Sequence, residues 1–449
     1  MSKPVFVISC PIDTYSGYGS RSRDVVKVII NTDKYDVKIL PQRWGSTPWG
    51  YIDEHPEWSF LNKHLLPEPK LSQQPEIWMQ ITIPSEFQPI GKYNIGVTAG
   101  IETNLCHPSW LEGLNRMNLN LVSSNHAKKV FEETKAEQKD QKTGQVVKTF
   151  ELTKPIEVLF EGADLETYFQ TSKFENQDLY NDILGGVKEN FAYLFVGHWI
   201  KGDFGEDRKN IGYLIKSFLE VFKNKMNAPA LILKTSTAGA SKMDRLELEK
   251  RIDGIKKTVK ATRLPNVYVL LGEMHDLDIN ELYNHPKVKA MVSLTKGEGF
   301  GRPLLQFSLS KKPIITTNWS GHVDFLDPEY TTLISGELKQ VHKSAANDWL
   351  IEQSQWFNAN PGEVGFYMKD MFEHYKKYIP LGRKQAHKSK TEFSFEGMRQ
   401  VIGSTLEELI PEFPKEVKLQ LPKLKKVGET QADTEIPKLK LPKLQKLNG

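Results

Sequence analysis

Residues 291–319 read MVSLTKGEGFGRPLLQFSLSKKPIITTNW. The apolar run Met291 to Leu294 predicts a strand, Gly297 to Gly301 a glycine-rich turn, Pro303 to Leu309 a helix, and Pro313 to Thr317 a second strand. Pro303 suits a first helical turn, where its missing N–H leaves no bond unmade. Strand, loop, helix, strand is the unit of a parallel sheet, whose ligands meet the loops at the carboxyl ends of the strands. Glu298 stands in that loop between glycines, and Gln306 follows eight residues later on the helix. A carboxylate and an amide so placed can hold two parts of a polyhydroxylated ligand; a tight turn with a solvent-facing glutamate is the plainer alternative.

The same unit recurs along the chain. FAYLFVG (191–197), PALILKT (229–235) and VYVLL (267–271) are strand-like, and IGYLIKSFLEVFKNK (211–225) carries apolar residues at helical spacing. Earlier, KPVFVISC (3–10), residues 36–40, 77–81 and 92–97, the run ending at Ser123, and PIEVLF (155–160) form another series. The expected architecture is α/β, with two Rossmann-like parallel-sheet domains (1–180 and 187–390) facing across a cleft. A helix at 391–412 is expected to pack back on the first domain, followed by a basic tail at 413–449. After the first strand, Gly17 and Gly19 either bring main chain close to a diphosphate or sugar, or serve an ordinary strand-to-helix turn. Their spacing is not the GxGxxG of dinucleotide binders. Trp44, Trp49, Tyr51 and Trp58 form either a wall for an acceptor molecule or the small core of their own loop.

Composition narrows the class. The chain has 449 residues with 39% hydrophobic, enough for two or three domains. It contains no run of 18 apolar residues, and its first segment reads as a strand rather than a signal peptide. Two cysteines, Cys10 and Cys106, argue for a reducing compartment, so a cytoplasmic location is expected. No HExxH, CxxC or other metal spacing occurs, and no metal site is expected. The net charge of +4 is concentrated at the end: residues 415–449 hold nine Lys against four Asp or Glu, while the remainder has 51 basic and 52 acidic residues. That balance lacks the basic stripe of a duplex-gripping protein.

Taken in order, several segments resemble the large family of GT-B-fold, retaining, nucleotide-sugar-dependent glycosyltransferases (glycosyl transferases group 1). They are GYGSRS (17–22), GVTAGIET (96–103), LVSSNHAKKVF (121–131), PIEVLFEGAD (155–164), LFVG (194–197) followed by RKN (208–210), and GEGFGRPLLQ (297–306). The resemblance implies that Glu298 helps hold a donor sugar and that Arg208 and Lys209 are the basic pair at its diphosphate. Gln306 occupies the place of a second glutamate that bonds the nucleotide ribose, a task glutamine can perform as donor and acceptor. Lys234 is a further donor contact; Gly17, Gly19, Gly299, Phe300 and Gly301 supply the backbone around the phosphates, and His322 lies where the family loop approaches the donor. Glu102 is the acceptor-side carboxylate, with Ser124 at the next strand end and His107 a weaker candidate. The donor, a UDP- or GDP-sugar, is a co-substrate rather than a cofactor. The family mechanism retains anomeric configuration by attack on the face of departure and needs no metal.

The hydroxyl acceptor expected from this resemblance is a glycan, a lipid-linked sugar or a protein. An alternative is a hydroxymethylated DNA base, because GVTAGIET and NWSGHVDFL resemble viral and phage members; the location is then the host cytoplasm. Another is a non-catalytic binding or structural protein that has kept the fold. In the tail, KLQLPKLKK (418–426) recurs as KLKLPKLQK (438–446), identical at seven of nine positions. Such a repeat suits an edge strand added to a partner's sheet, contact with an anionic surface or DNA, or a solubilising tail.

Overall fold

Twelve short, mostly apolar strands build two parallel sheets in the computed structural model, which describes residues 3–71, 73–199, 201–236 and 241–413. The chain divides into two compact units, Met1–Pro411 and Glu412–Gly449. Both sheets belong to the first unit; the tail repeats at 418–426 and 438–446 lie outside the described residues.

The first sheet contains β1 (Val5–Cys10), β2 (Asp36–Pro41), β3 (Ile77–Ile81), β4 (Tyr93–Thr98), β5 (Leu119–Val122) and, after an antiparallel hairpin of β6 (Ala136–Lys139) and β7 (Val146–Phe150), β8 (Ile156–Val158). Its order is β2-β1-β3-β4-β5-β8. The second contains β9 (Ala192–Val196), β10 (Ala230–Lys234), β11 (Val267–Leu270), β12 (Val288–Ser293), β13 (Ile314–Thr317) and β14 (Thr332–Ile334), in the order β11-β10-β9-β12-β13-β14. IWMQI in β3 and IITT in β13 are buried at every position, as strands covered on both faces require. One face of the second sheet packs Tyr193, Phe195 and Leu231 on Phe218 and Met368. The other packs Leu194, Ile232 and Met291 on Phe307. The stretch from Ala163 to Val187 contributes Ala163, Tyr168, Leu179, Leu184 and Val187 to this second core.

The helices are α1 (Gly17–Asn31), α2 (Tyr51–Glu54), α3 (Pro108–Asn115), α4 (Asn125–Glu133), α5 (Ile211–Phe222), α6 (Lys242–Thr258), α7 (Asp276–Asn284), α8 (Arg302–Ser308), α9 (Pro361–Glu373), α10 (Tyr375–Glu392) and α11 (Phe395–Leu409). Helix α8 begins one residue before Pro303, which falls in its first turn. Helix α11 lies against α1, where Arg21 on α1 donates to Met398 Sδ at 3.3 Å. Residues 336–359 suggest no element in the sequence, yet they fold as an antiparallel pair, β15 (Gly336–Gln340) and β16 (Gln355–Ala359).

The two halves meet where the 99–104 segment of the first lies on the Gly297–Gly301 turn of the second. A Cβ on Gly297 would overlap the Glu102 carbonyl oxygen, and one on Gly299 the Ala99 carbonyl. These two glycines therefore serve the contact between halves. Gly17, by contrast, has open space around it. Ser123 Oγ stitches the contact through the Ala99 carbonyl at 2.5 Å and the Gly299 carbonyl at 3.1 Å. Gly299→Ala is expected to destabilise the protein by about 1–3 kcal/mol through overpacking, and Gly17→Ala to be neutral within about 0.5 kcal/mol. Urea-denaturation midpoints of the two variants check this contrast.

Candidate functional site

In the second sheet the chain leaves β9 toward β10 on one side and reaches β12 on the other, so the loops after β9 and β12 diverge and leave a crevice. The loop after β9 carries Arg208 and Lys209; the loop after β12 carries Glu298. Lys296 N–H donates to the Arg208 carbonyl at 2.8 Å, tying the loops together. Asp207 accepts from the Ile211 N–H at 3.3 Å at the start of α5, which fixes the direction in which the next two side chains leave. Glu298 N–H donates to Ser320 Oγ at 2.9 Å.

These supports bring the three predicted side chains together. Lys209 Nζ is 2.6 Å from Glu298 Oε1, and Arg208 Nη1 is 3.3 Å from Glu298 Oε2 and 2.9 Å from the Gly297 carbonyl. Arg208 Nη2 also reaches Glu102 Oε1 of the first half at 3.6 Å. Burial alone would raise the Glu298 carboxyl, but the Lys209 ammonium and Arg208 guanidinium outweigh it and hold the group at about 2. Arg208 moves up because Glu102 and Glu298 overcome its own burial. Two cations and two carboxylates thus meet at one point with no net charge, in a setting where removing one partner of a buried pair costs about 3–5 kcal/mol.

The other candidates are more dispersed. Lys234 Nζ donates to the Gly272 carbonyl at 2.5 Å, facing the loop after β11 rather than Glu298. His322 is fully buried behind Gly301; its Nε2–H donates to the Thr317 carbonyl at 2.6 Å, while Nδ1 has no partner among the described residues. Phe300 packs on Phe325 in the second core, and Gly301 adopts φ +97° to open α8. Gln306 is half-buried, and its side chain has no hydrogen bond among the described residues. Gly19 fits under Thr14, whose carbonyl a Cβ would overlap, and its N–H donates to Ser16 Oγ at 2.9 Å. Ser124 and His107 cap α4 and α3, accepting from Ala127 N–H and Ser109 N–H at 3.2 Å each. It is the neighbouring Ser123 that reaches the second half.

Several residues near the crevice carried no functional signal in the sequence. His126 in SSNHAKK reads only as part of a capped helix, yet its ring stands edge-on to Trp319 of the second half at 4.6 Å. His198, at the end of β9, bonds Ser236 Oγ through Nδ1 at 2.7 Å and lies in the field of Lys209, Lys234 and Arg208. Tyr18 accepts from the Ala99 N–H at 3.1 Å, fixing the loop that bears Glu102. Next to Glu102 and Arg208 opens a cavity of about 350 Å³ whose walls include Tyr18, Trp44, Trp110 and Trp349. Trp44 thus faces a cavity; Tyr51 is instead sandwiched between Arg23, 3.4 Å from its ring centre, and His55, stacked at 3.7 Å.

No protein-family model and no curated protein sequence matches the chain. Solved structures do. HepE from Anabaena, in complex with UDP and glucose, aligns with a TM-score of 0.58 at 13% identity, over 90% of this chain and 100% of that chain. A glycosyltransferase from Rickettsia africae ESF-5 aligns with 0.61 at 13% identity over 91% and 99%. Sucrose-phosphate synthase from Thermosynechococcus elongatus aligns with 0.57 at 11% identity over 91% and 99%. The chain shares the GT-B fold of these proteins.

Burial lowers four histidines, His126 and His285 each to about 4 and His198 and His322 below their usual value. Between pH 6.5 and 4 the unfolded chain therefore binds protons that the folded protein refuses, and stability falls as pH drops through that window. Each such histidine contributes at most about 1.4 kcal/mol per pH unit. His126→Gln is expected to flatten the slope of urea-unfolding free energy against pH by one such share. Glu298, held at about 2, loses its contribution only below its unfolded value of 4.5.

Proposed function

We propose that this protein transfers a sugar from a nucleotide-diphosphate donor, a UDP- or GDP-sugar, to a hydroxyl acceptor. The observation that carries the reading is the convergence of Lys209 and Arg208 on Glu298 at a strand-order crevice, with Glu102 facing them from the other half. In the ligand-free protein the two cations are neutralised by carboxylates. A donor diphosphate takes their place as the anion, which releases Glu298 to accept hydrogen bonds from the hydroxyls of the donor sugar. Loss of the sugar loads negative charge on the departing phosphate oxygens, and fixed cations stabilise that charge most in the transition state.

The transfer we favour retains configuration. The bond from the anomeric carbon to the phosphate oxygen breaks, the acceptor oxygen bonds to the same face, and the leaving phosphate takes the acceptor proton, giving a glycoside and a nucleoside diphosphate. Gln306, half-buried and without a protein hydrogen bond among the described residues, remains free for a ribose hydroxyl. Glu102 orients the acceptor.

Glu298→Gln is expected to lower kcat by about 100-fold or more. It should bind nucleoside diphosphate no more weakly than the parent, because the carboxylate competing for Lys209 has lost its charge. Lys209→Ala or Arg208→Ala should weaken nucleoside diphosphate binding by about 10- to 100-fold, the worth of a charge-assisted hydrogen bond. Calorimetry with UDP- and GDP-sugars, joined to mass spectrometry of the acceptor pool, tests both. Lack of affinity for every nucleotide sugar would overturn the assignment.

A further inference from the structure

The cavity beside Glu102 carries information about the acceptor. Both halves build it: Tyr18, Trp44 and Trp110 come from the first, and Trp349 from the excursion between β15 and β16. That excursion is fastened on two sides. Asn104 N–H donates to the Gln355 carbonyl at 3.0 Å and Gln355 N–H to Asn104 Oδ1 at 2.7 Å, so its end is tied to the loop of Glu102. Asp203 N–H donates to Ser344 Oγ at 2.9 Å, which ties its start to the loop of Arg208. Asn347 Oδ1 accepts from the backbone N–H groups of both Trp349 and Leu350 at 2.8 Å and holds the turn that bears the indole. A molecule in this chamber is held in register with the cations that grip the donor.

We propose that the chamber takes a pyranose ring, and that the acceptor is therefore a saccharide hydroxyl; this rests on the transferase reading above. A pyranose has an apolar C–H face that packs on a single indole and a rim of hydroxyls that need polar partners. Here the ring walls supply the first, and Glu102, Asn347 and Lys201 supply the second. A flat base drawn out of a nucleic acid stacks instead between parallel faces about 7 Å apart, twice an aromatic contact distance. The rings do not offer that slot: Trp110 and Trp349 lie 6.2 Å apart at 37°, and one face of Trp44 is already stacked on Tyr18 at 4.0 Å. A strand would also need a track of cations, whereas residues 1–414 are balanced at 51 basic to 52 acidic, and Arg208 at the chamber is paired with Glu102 and Glu298. The volume of about 350 Å³ is that of a small-molecule site rather than a groove for a polypeptide.

The test compares transfer from UDP- and GDP-sugars to a panel of methyl hexopyranosides and to duplex and single-stranded DNA containing hydroxymethylcytosine, read by mass spectrometry. Transfer to at least one pyranoside is expected. Trp349 is 38% exposed, so its replacement is compatible with folding. Trp349→Ala should raise KM for that pyranoside by about tenfold, the worth of one aromatic contact, and Trp349→Phe by much less. The Kd for the nucleotide sugar and the melting temperature of both variants should stay at the parent values. Transfer to DNA alone, or an acceptor KM unmoved by Trp349→Ala, would overturn the proposal. Absence of any donor binding in calorimetry removes the transferase reading itself, which separates the two failures.

Discussion

The carboxylate of Glu298, held between the Lys209 ammonium and the Arg208 guanidinium, is the interaction on which the rest of the site depends. It exists because β9 and β12 are neighbours in the sheet although their last residues, Val196 and Ser293, are 97 positions apart, so that loops distant in sequence end at one crevice. Burial would drive an isolated carboxyl toward its neutral form, and only two adjacent cations reverse that tendency. The group is therefore ionised and already paired before any ligand arrives. Under the proposed function an incoming anion would gain the cations only by displacing a carboxylate, so that binding would be an exchange of partners rather than the filling of an empty positive pocket. Such an exchange avoids leaving a charge buried and alone, the state that costs most.

The same cluster links the two halves. Arg208 reaches across to Glu102, and other polar bonds between the halves lie beside ring contacts such as His126 on Trp319. Arg302 at the start of α8 pairs with Asp24 and Glu161, and the Asn125 N–H meets Asp324 at 2.8 Å. Each half meanwhile keeps its own apolar core. Polar links can be exchanged for water or ligand at modest net cost, whereas a shared apolar core could not. The close seat of Gly297 and Gly299 against the 99–104 segment then sets how near the crevice of Arg208 and Glu298 and the aromatic chamber come to one another.

Much of the scaffold was readable from local pattern. Runs such as VFVISC and IWMQI are apolar enough to be buried on both faces, Pro303 marks the first turn of α8, and Ser124 caps α4. The convergence of Arg208, Lys209 and Glu298 came from resemblance, since a basic dipeptide in a charged loop has no local signature. The β15–β16 pair escaped notice because GELKQ is exposed at every position and carries no two-sided apolar run. His126 escaped because its neighbour in space, Trp319, is almost 200 residues away in sequence.

The amino-acid order by itself determined the two series of buried strands, the first turn of α8 and the glycine-rich turn, because each depends on neighbours within a few residues. Tertiary structure alone decided that Gly297 and Gly299 are glycines for the sake of the other half, that Ser123 rather than Ser124 spans the interface, and that Lys234 turns toward Gly272. Those outcomes follow from which strands lie side by side and how closely two sheets approach. Hydrogen bonds and overlaps of a few ångströms set them, and no periodicity along the chain encodes such distances.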